Sequence, residues 1–138
     1  MVVKSQEDRP ISVEDDISTV RSSVKRVVAL LNFSLVNQTK IITAASELAR
    51  NTLEHGKGGH ALIQIIDDGS GRVGLRLVFE DKGPGIPDTE RALEDGFTTG
   101  RGMGLGLGGA KRLMDEFEIE SKVDDGTRVS ITKWQEKA

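Results

Sequence analysis

Two hydrophobic rhythms divide the chain. Between positions 14 and 54, apolar residues recur every three or four positions: Ile17, Val20, Val24, Val27, Val28 and Leu31, then Ile41, Ala44, Ala45, Leu48 and Leu53. That spacing puts each set on one face of an α-helix and predicts helices over about 15–31 and about 37–54. Glu14-Asp15-Asp16 supplies the negative charge that a helix N-terminus favours. Asn32-Phe33-Ser34 interrupts the pattern, and Gly56, Gly58 and Gly59 stop the second helix.

Beyond these glycines the period shortens to two. Residues 60–66 and 73–79 are β-rich runs joined by an Asp/Gly-rich loop, which predicts a hairpin. A helix is expected over about 105–117, with Leu107, Ala110, Leu113 and Met114 facing inward. Residues 118–123 and 128–134 should form a closing hairpin across Asp124-Asp125-Gly126. Residues 10–13 suit a short edge strand, proline being tolerated at a strand's first position. The polar residues 1–9 are expected to be a flexible N-terminus, and 135–138 a tail. Residues 82–101, with Pro84 and Pro87, make a loop of about twenty residues, a length typical of binding loops and lids. The order β-α-α-β-β-loop-α-β-β predicts a single α+β domain over 10–134: a two-layer sandwich, with helices packed on one face of a mixed β-sheet.

Composition narrows the function. A chain of 138 residues forms one core, and 36% hydrophobic with 30% charged residues describes a soluble globular protein. The absence of cysteine excludes disulfides, thiolate zinc sites and cysteine nucleophiles. A net charge of −3 and only 4% aromatic residues argue against a nucleic-acid partner, which would need a basic face or stacking platforms. No run of 18 apolar residues exists to span a membrane. The polar N-terminus lacks the apolar core of a signal peptide, so a cytoplasmic location is expected. Glycine stands out: of 16 glycines, none falls in the first 55 residues and seven fall within 96–109.

Three constellations can carry chemistry. Glu47 and Asn51 stand one helical turn apart on one face. Glu47 can take a proton or orient a nucleophile, and Asn51 can offer a neutral oxygen to Mg²⁺; a purely solvated face would look the same. Glu80-Asp81-Lys82-Gly83-Pro84-Gly85-Ile86 ends an apolar strand in a carboxylate and a tight turn. Asp81 can accept hydrogen bonds from an amino group on a planar heterocycle, or the segment can be a plain turn. Gly102-Met103-Gly104-Leu105-Gly106-Leu107-Gly108-Gly109 leads into the third predicted helix, an arrangement that exposes backbone N–H groups to a phosphate. It lacks the lysine and Ser/Thr of a P-loop, and no strand precedes it as a dinucleotide-binding fingerprint requires.

Taken in order, E-x-x-x-N on a helix, D-x-G-x-G after a strand, G-x-G-x-G before a helix and Gly126-Thr127 in the last hairpin resemble the four boxes of the GHKL ATPase superfamily. Its fold is the Bergerat two-layer sandwich. Ser46-Glu47-Leu48-Ala49-Arg50-Asn51, Asp95-Gly96-Phe97-Thr98-Thr99 and Arg112-Leu113-Met114-Asp115-Glu116 most resemble RsbT-type serine/threonine kinases, which phosphorylate a STAS-domain antagonist in bacterial stress signalling. The resemblance implies ATP and Mg²⁺ as cofactors, with Glu47 as general base and Asn51 as metal ligand. It implies Asp81 at the adenine amino group, with Gly83, Gly85, Ile86 and Thr127 around the base and His55 against the nucleotide. It places Gly102, Met103, Gly104, Leu105 and Gly106 at the phosphates, with Arg101 neutralising their charge. The implied partners are a STAS-domain protein and a PP2C-type phosphatase or sigma factor. Two alternatives stay open: an anti-sigma-factor kinase of the RsbW or SpoIIAB type, and a nucleotide-binding switch with little transfer activity. Glu54 stands where histidine kinases often carry a lysine that contacts phosphate. Gly74 sits inside a predicted strand for no reason the sequence supplies.

Overall fold

Two long helices fold back on each other across one face of a five-stranded sheet. In this computed structural model the described residues are 1–89, 93 and 107–136. The elements are β1 (Val2–Ile11), α1 (Glu14–Leu30), α2 (Leu35–Glu54), β2 (Gly59–Asp67), β3 (Val73–Asp81), α3 (Leu107–Leu113), β4 (Glu116–Lys122) and β5 (Gly126–Trp134). Strand order is β1-β2-β3-β5-β4.

The sheet is antiparallel at every pairing, not mixed as the sequence suggested. The paired helices α1 and α2 return the chain to the end of the sheet it left, so β2 must run against β1. The single helix α3 gives β4 the same direction as β3, but β5 inserts between them and pairs antiparallel with both. Among the described residues, no helix is long and apolar enough to cross a membrane.

The helical periodicity becomes the core. Val20, Val24 and Val28 of α1 and Ile41, Ala44, Ala45 and Leu48 of α2 are buried against Ala61, Ile63, Leu75, Leu77, Phe79, Val129 and Ile131 of the sheet. Asp16 holds the start of α1, its carboxylate accepting from the backbone N–H groups of Ser12 at 2.8 Å and Val13 at 3.0 Å. Ser34 caps α2 by accepting from Asn37 N–H at 3.2 Å. Arg50 ties the two helices together, 3.1 Å from Glu14 and 3.1 Å from Glu54. Glu54, out of place beside the histidine kinases, is thus a partner in an ion pair.

Two elements differ from expectation. Residues 1–9 are not a flexible terminus: β1 takes in Val2–Ile11 and pairs with the whole of β2. The strand has no apolar alternation to mark it because its helix-facing side is charged. Glu7 reaches Arg26 of α1 at 2.5 Å and 2.8 Å, with Arg9 3.6 Å away, and only Ile11 is fully buried. The third helix stops at Leu113 instead of running to about residue 117, because the chain is captured by β5. Asp115 N–H donates to the Thr132 carbonyl at 2.9 Å, and its carboxylate accepts from Trp134 N–H at 2.8 Å. Lys133 Nζ donates to the carbonyl of Leu113 at 3.1 Å and closes the helix end.

Hydrogen bonds from Arg26 hold the Glu7 carboxyl below its usual range; partial burial opposes them, and the charges of Arg26 and Arg9 add to the lowering. A lowered carboxyl contributes stability above its unfolded pKa and loses that contribution as pH falls through its folded value. Glu7→Gln should therefore cost about 0.2–1 kcal/mol near neutral pH, as partly exposed pairs do. Urea denaturation of both proteins across the acid range should show the difference closing below about pH 4.

Candidate functional site

The last turns of α2 face the ends of β3 and β5 across a cleft of about 330 Å³, counting its open mouth. Helical spacing puts Leu48, Asn51, Thr52 and His55 on one wall. Strand alternation puts Phe79 and Asp81 of β3 with Thr127 and Val129 of β5 on the other, and Ile86 and Leu107 complete the lining. The cleft is mostly apolar, with a few polar groups aimed inward, the usual composition of a small-molecule site.

Asp81 is its chemical centre. One carboxylate oxygen accepts from Gly83 N–H at 2.9 Å and from Thr127 N–H at 3.3 Å. The other lies beside Gly56: a Cβ built on Gly56 would fall 2.4 Å from it and 2.3 Å from the carboxyl carbon. Gly83 is as tightly placed, its Cβ position lying 2.7 Å from the Cα of Gly56. Burial pushes the Asp81 carboxyl above its usual range, outweighing the two N–H donors and the nearby His55, which pull it down. A half-buried carboxylate with one oxygen already committed can accept an amino group from a planar ring lying among Leu48, Phe79, Ile86 and Val129.

The turn after Asp81 is pinned by backbone hydrogen bonds to the β4–β5 hairpin. Pro84 carbonyl accepts from Asp124 N–H at 2.8 Å, and Ile86 N–H donates to Ser121 Oγ at 2.7 Å. Gly85 has φ 77° and its Cβ position would meet the Lys122 carbonyl at 2.2 Å, so no other residue fits there. His55 Nε2 lies 3.4 Å from the Gly85 carbonyl oxygen. Ser121 Oγ and Thr127 Oγ1 are 2.7 Å apart.

Of the residues singled out in the sequence, Asn51, His55, Asp81, Ile86 and Thr127 line this one cleft, and Gly83 and Gly85 shape its edge. Glu47 is exposed on α2, one turn before Asn51, and does not line the cleft. Arg101, Gly102, Met103, Gly104, Leu105 and Gly106 lie outside the described residues. Sequence reasoning missed several contributors, Thr52 of the helix wall among them. Phe79 and Val129 carried a signal, standing two residues from Asp81 and Thr127 on the same strand faces. Gly56 carries only the signal of a helix stop, and Ser121 carries none.

The signature of the histidine kinase-, DNA gyrase B-, and HSP90-like ATPase family matches residues 36–137. The chain is similar to the serine/threonine-protein kinase RsbT of Bacillus subtilis (strain 168), at 46% identity over 125 residues, 90% of this chain and 92% of that one. It is similar to the anti-sigma F factor of Geobacillus kaustophilus (strain HTA426), at 35% identity over 124 residues, 84% of this chain and 82% of that one. In fold it is similar to the RsbU and RsbW domains of Rv1364c from Mycobacterium tuberculosis, with a TM-score of 0.63 and 19% identity over 98% of this chain and 34% of that one.

A carboxyl with a raised pKa contributes stability that is complete below its unfolded value and is lost as pH rises through its folded one. Asp81→Asn keeps an oxygen for the two backbone donors and removes the buried charge. Its denaturant midpoint near neutral pH should match or exceed the wild type, and the wild type's gain on mild acidification should shrink. A loss of about 2 kcal/mol or more would show that the charge itself holds the fold.

Proposed function

Since the chain belongs to the histidine kinase-, DNA gyrase B-, and HSP90-like ATPase family, we propose that it is an ATP- and Mg²⁺-dependent serine/threonine protein kinase acting as a partner switch. Its substrate in this reading is a serine or threonine of a STAS-domain antagonist in the cytoplasm. A PP2C-type phosphatase is the second partner. The observation that supports it most is the pairing of Asp81 and Asn51 on facing walls of one apolar cleft. The 46% identity to a protein named as a serine/threonine kinase favours this reading over a sigma-binding anti-sigma kinase, to which the likeness is 35%.

The residues fit the nucleotide. Asp81 offers the adenine amino group an acceptor, and Leu48, Phe79, Ile86, Leu107 and Val129 exclude water from the ring. For the metal the fit is a single amide: Asn51 lines the cleft, and among the described residues no group of three or more His, Asp or Glu side chains can hold an ion. Mg²⁺ suits such a site because it keeps its waters and takes phosphate oxygens as ligands. Bound ATP with Mg²⁺ would supply the transferable phosphoryl group. Glu47, exposed on the same helix face, would take the proton of the incoming hydroxyl. Gly102, Gly104 and Gly106 would offer N–H groups to the phosphates, with Met103 and Leu105 between them, and Arg101 would offset their charge. Positioning and charge neutralisation supply most of phosphoryl-transfer catalysis, so few side chains need to react.

Two substitutions separate binding from transfer. Asn51→Ala should abolish Mg²⁺-dependent ATP binding in calorimetry; unchanged affinity would remove the metal role. Glu47→Ala should bind ATP normally and transfer labelled phosphate to a captured partner about 10²–10⁴-fold more slowly. Wild-type transfer by that variant would end the general-base role. Identifying the captured protein as a STAS-domain protein or a sigma factor decides between the two kinase readings.

A further inference from the structure

Ser121 is a hydrogen-bonding hub behind the cleft wall. It sits on β4 directly across from Thr127 of β5. Its Oγ lies 2.7 Å from Ile86 N, 2.7 Å from Thr127 Oγ1 and 3.1 Å from the Gly126 carbonyl oxygen. A serine hydroxyl has one proton and two lone pairs. Ile86 N–H can only donate, so it occupies one lone pair. If Ser121 gave its proton to Thr127, the Gly126 carbonyl would receive none from it and a lone pair would stand idle. If Thr127 donates to Ser121 and Ser121 donates to Gly126, all three contacts are made and each proton is used once.

We infer that Ser121 is a specificity-positioning residue: it draws the Thr127 hydroxyl proton away from the cleft, so that Thr127 meets a ligand with lone pairs alone. Thr127 is nearly buried and lines the cleft beside Asp81, whose free carboxylate oxygen is also an acceptor. The β3–β5 wall therefore presents acceptor side chains to the base. At position 6 a 6-amino purine offers two N–H groups to such a wall, whereas a 6-oxo purine places an oxygen there and is repelled at that position. Ser121 touches no ligand in this role, and its effect reaches the base only through Thr127. This inference rests on the cleft being an adenine-nucleotide site.

Calorimetric titration of the full chain with ATP and with ITP, whose base carries a 6-oxo group, tests it. The wild type should prefer ATP. In Ser121→Ala, Thr127 is free to turn its proton toward the cleft, so the ATP-to-ITP affinity ratio should fall about tenfold, the weight of one hydrogen bond. Ser121→Thr keeps the hydroxyl and should keep the preference. The gain in ITP binding should vanish in Ser121→Ala/Thr127→Val, which has no hydroxyl to turn. A wild-type ratio in a folded Ser121→Ala variant overturns the inference. Should that variant not fold, an unchanged ratio in Thr127→Val overturns it equally, since Thr127 would then not read the base. Wild-type protein that binds ATP and ITP alike also overturns the inference alone. Binding of neither nucleotide overturns the reading of the cleft on which it rests.

Discussion

No side chain fits between the end of α2 and the end of β3. A Cβ on Gly56 would lie 2.3 Å from the Asp81 carboxyl carbon, one on Gly83 would lie 2.7 Å from Gly56, and one on Gly59 would lie 1.9 Å from the Glu80 carbonyl oxygen. Helix, strand and turn meet here backbone to backbone. Their contact sets the distance between the last turns of α2 and the sheet, and so the width of the cleft. Asn51 and His55 face Asp81 because the helix can come this close and no closer.

The same crowding explains the state of Asp81. Its carboxyl is pressed against Gly56 with little water on that side, which raises its pKa. Two backbone N–H groups, from the turn and from β5, prevent the cost from becoming prohibitive. The site thus holds a carboxylate whose hydration is incomplete. A ligand bearing an amino group would complete what the fold leaves unmet, whereas a fully solvated carboxylate would give up water to bind it.

How much of this could be read from the sequence depended on whether a feature was periodic or tertiary. The helices α1 and α2 and the strands β2, β3 and β5 were legible, because one apolar face must repeat at the period of its element. β1 was not, because its inward face is built from Glu7 and Arg9 pairing with Arg26, and charge does not announce burial. The mixed sheet was misjudged because nothing local says that β5 will insert between β3 and β4. In the site, Asn51, Asp81 and Thr127 were legible as spaced motifs. Ser121 was not, being an ordinary serine until register sets it opposite Thr127. Gly74, unexplained in the sequence, lies under the Trp134 ring: a Cβ there would be 2.7 Å from it.

The insertion of β5 between β3 and β4 also orders events in time. The α1–α2 and β2–β3 hairpins close through neighbours in sequence, whereas Asp81 must wait for Thr127, 46 residues further on. Pairings that distant form late in folding, because closing a longer stretch of chain costs more conformational entropy. On a growing chain, β3 leaves the ribosome with one edge bare and stays so until β5 has been synthesised. An open edge of apolar sequence is where nascent chains associate wrongly. The strand that supplies the carboxylate is therefore open to misassembly for the interval between β3 and β5, and the cleft cannot exist before β5 has paired.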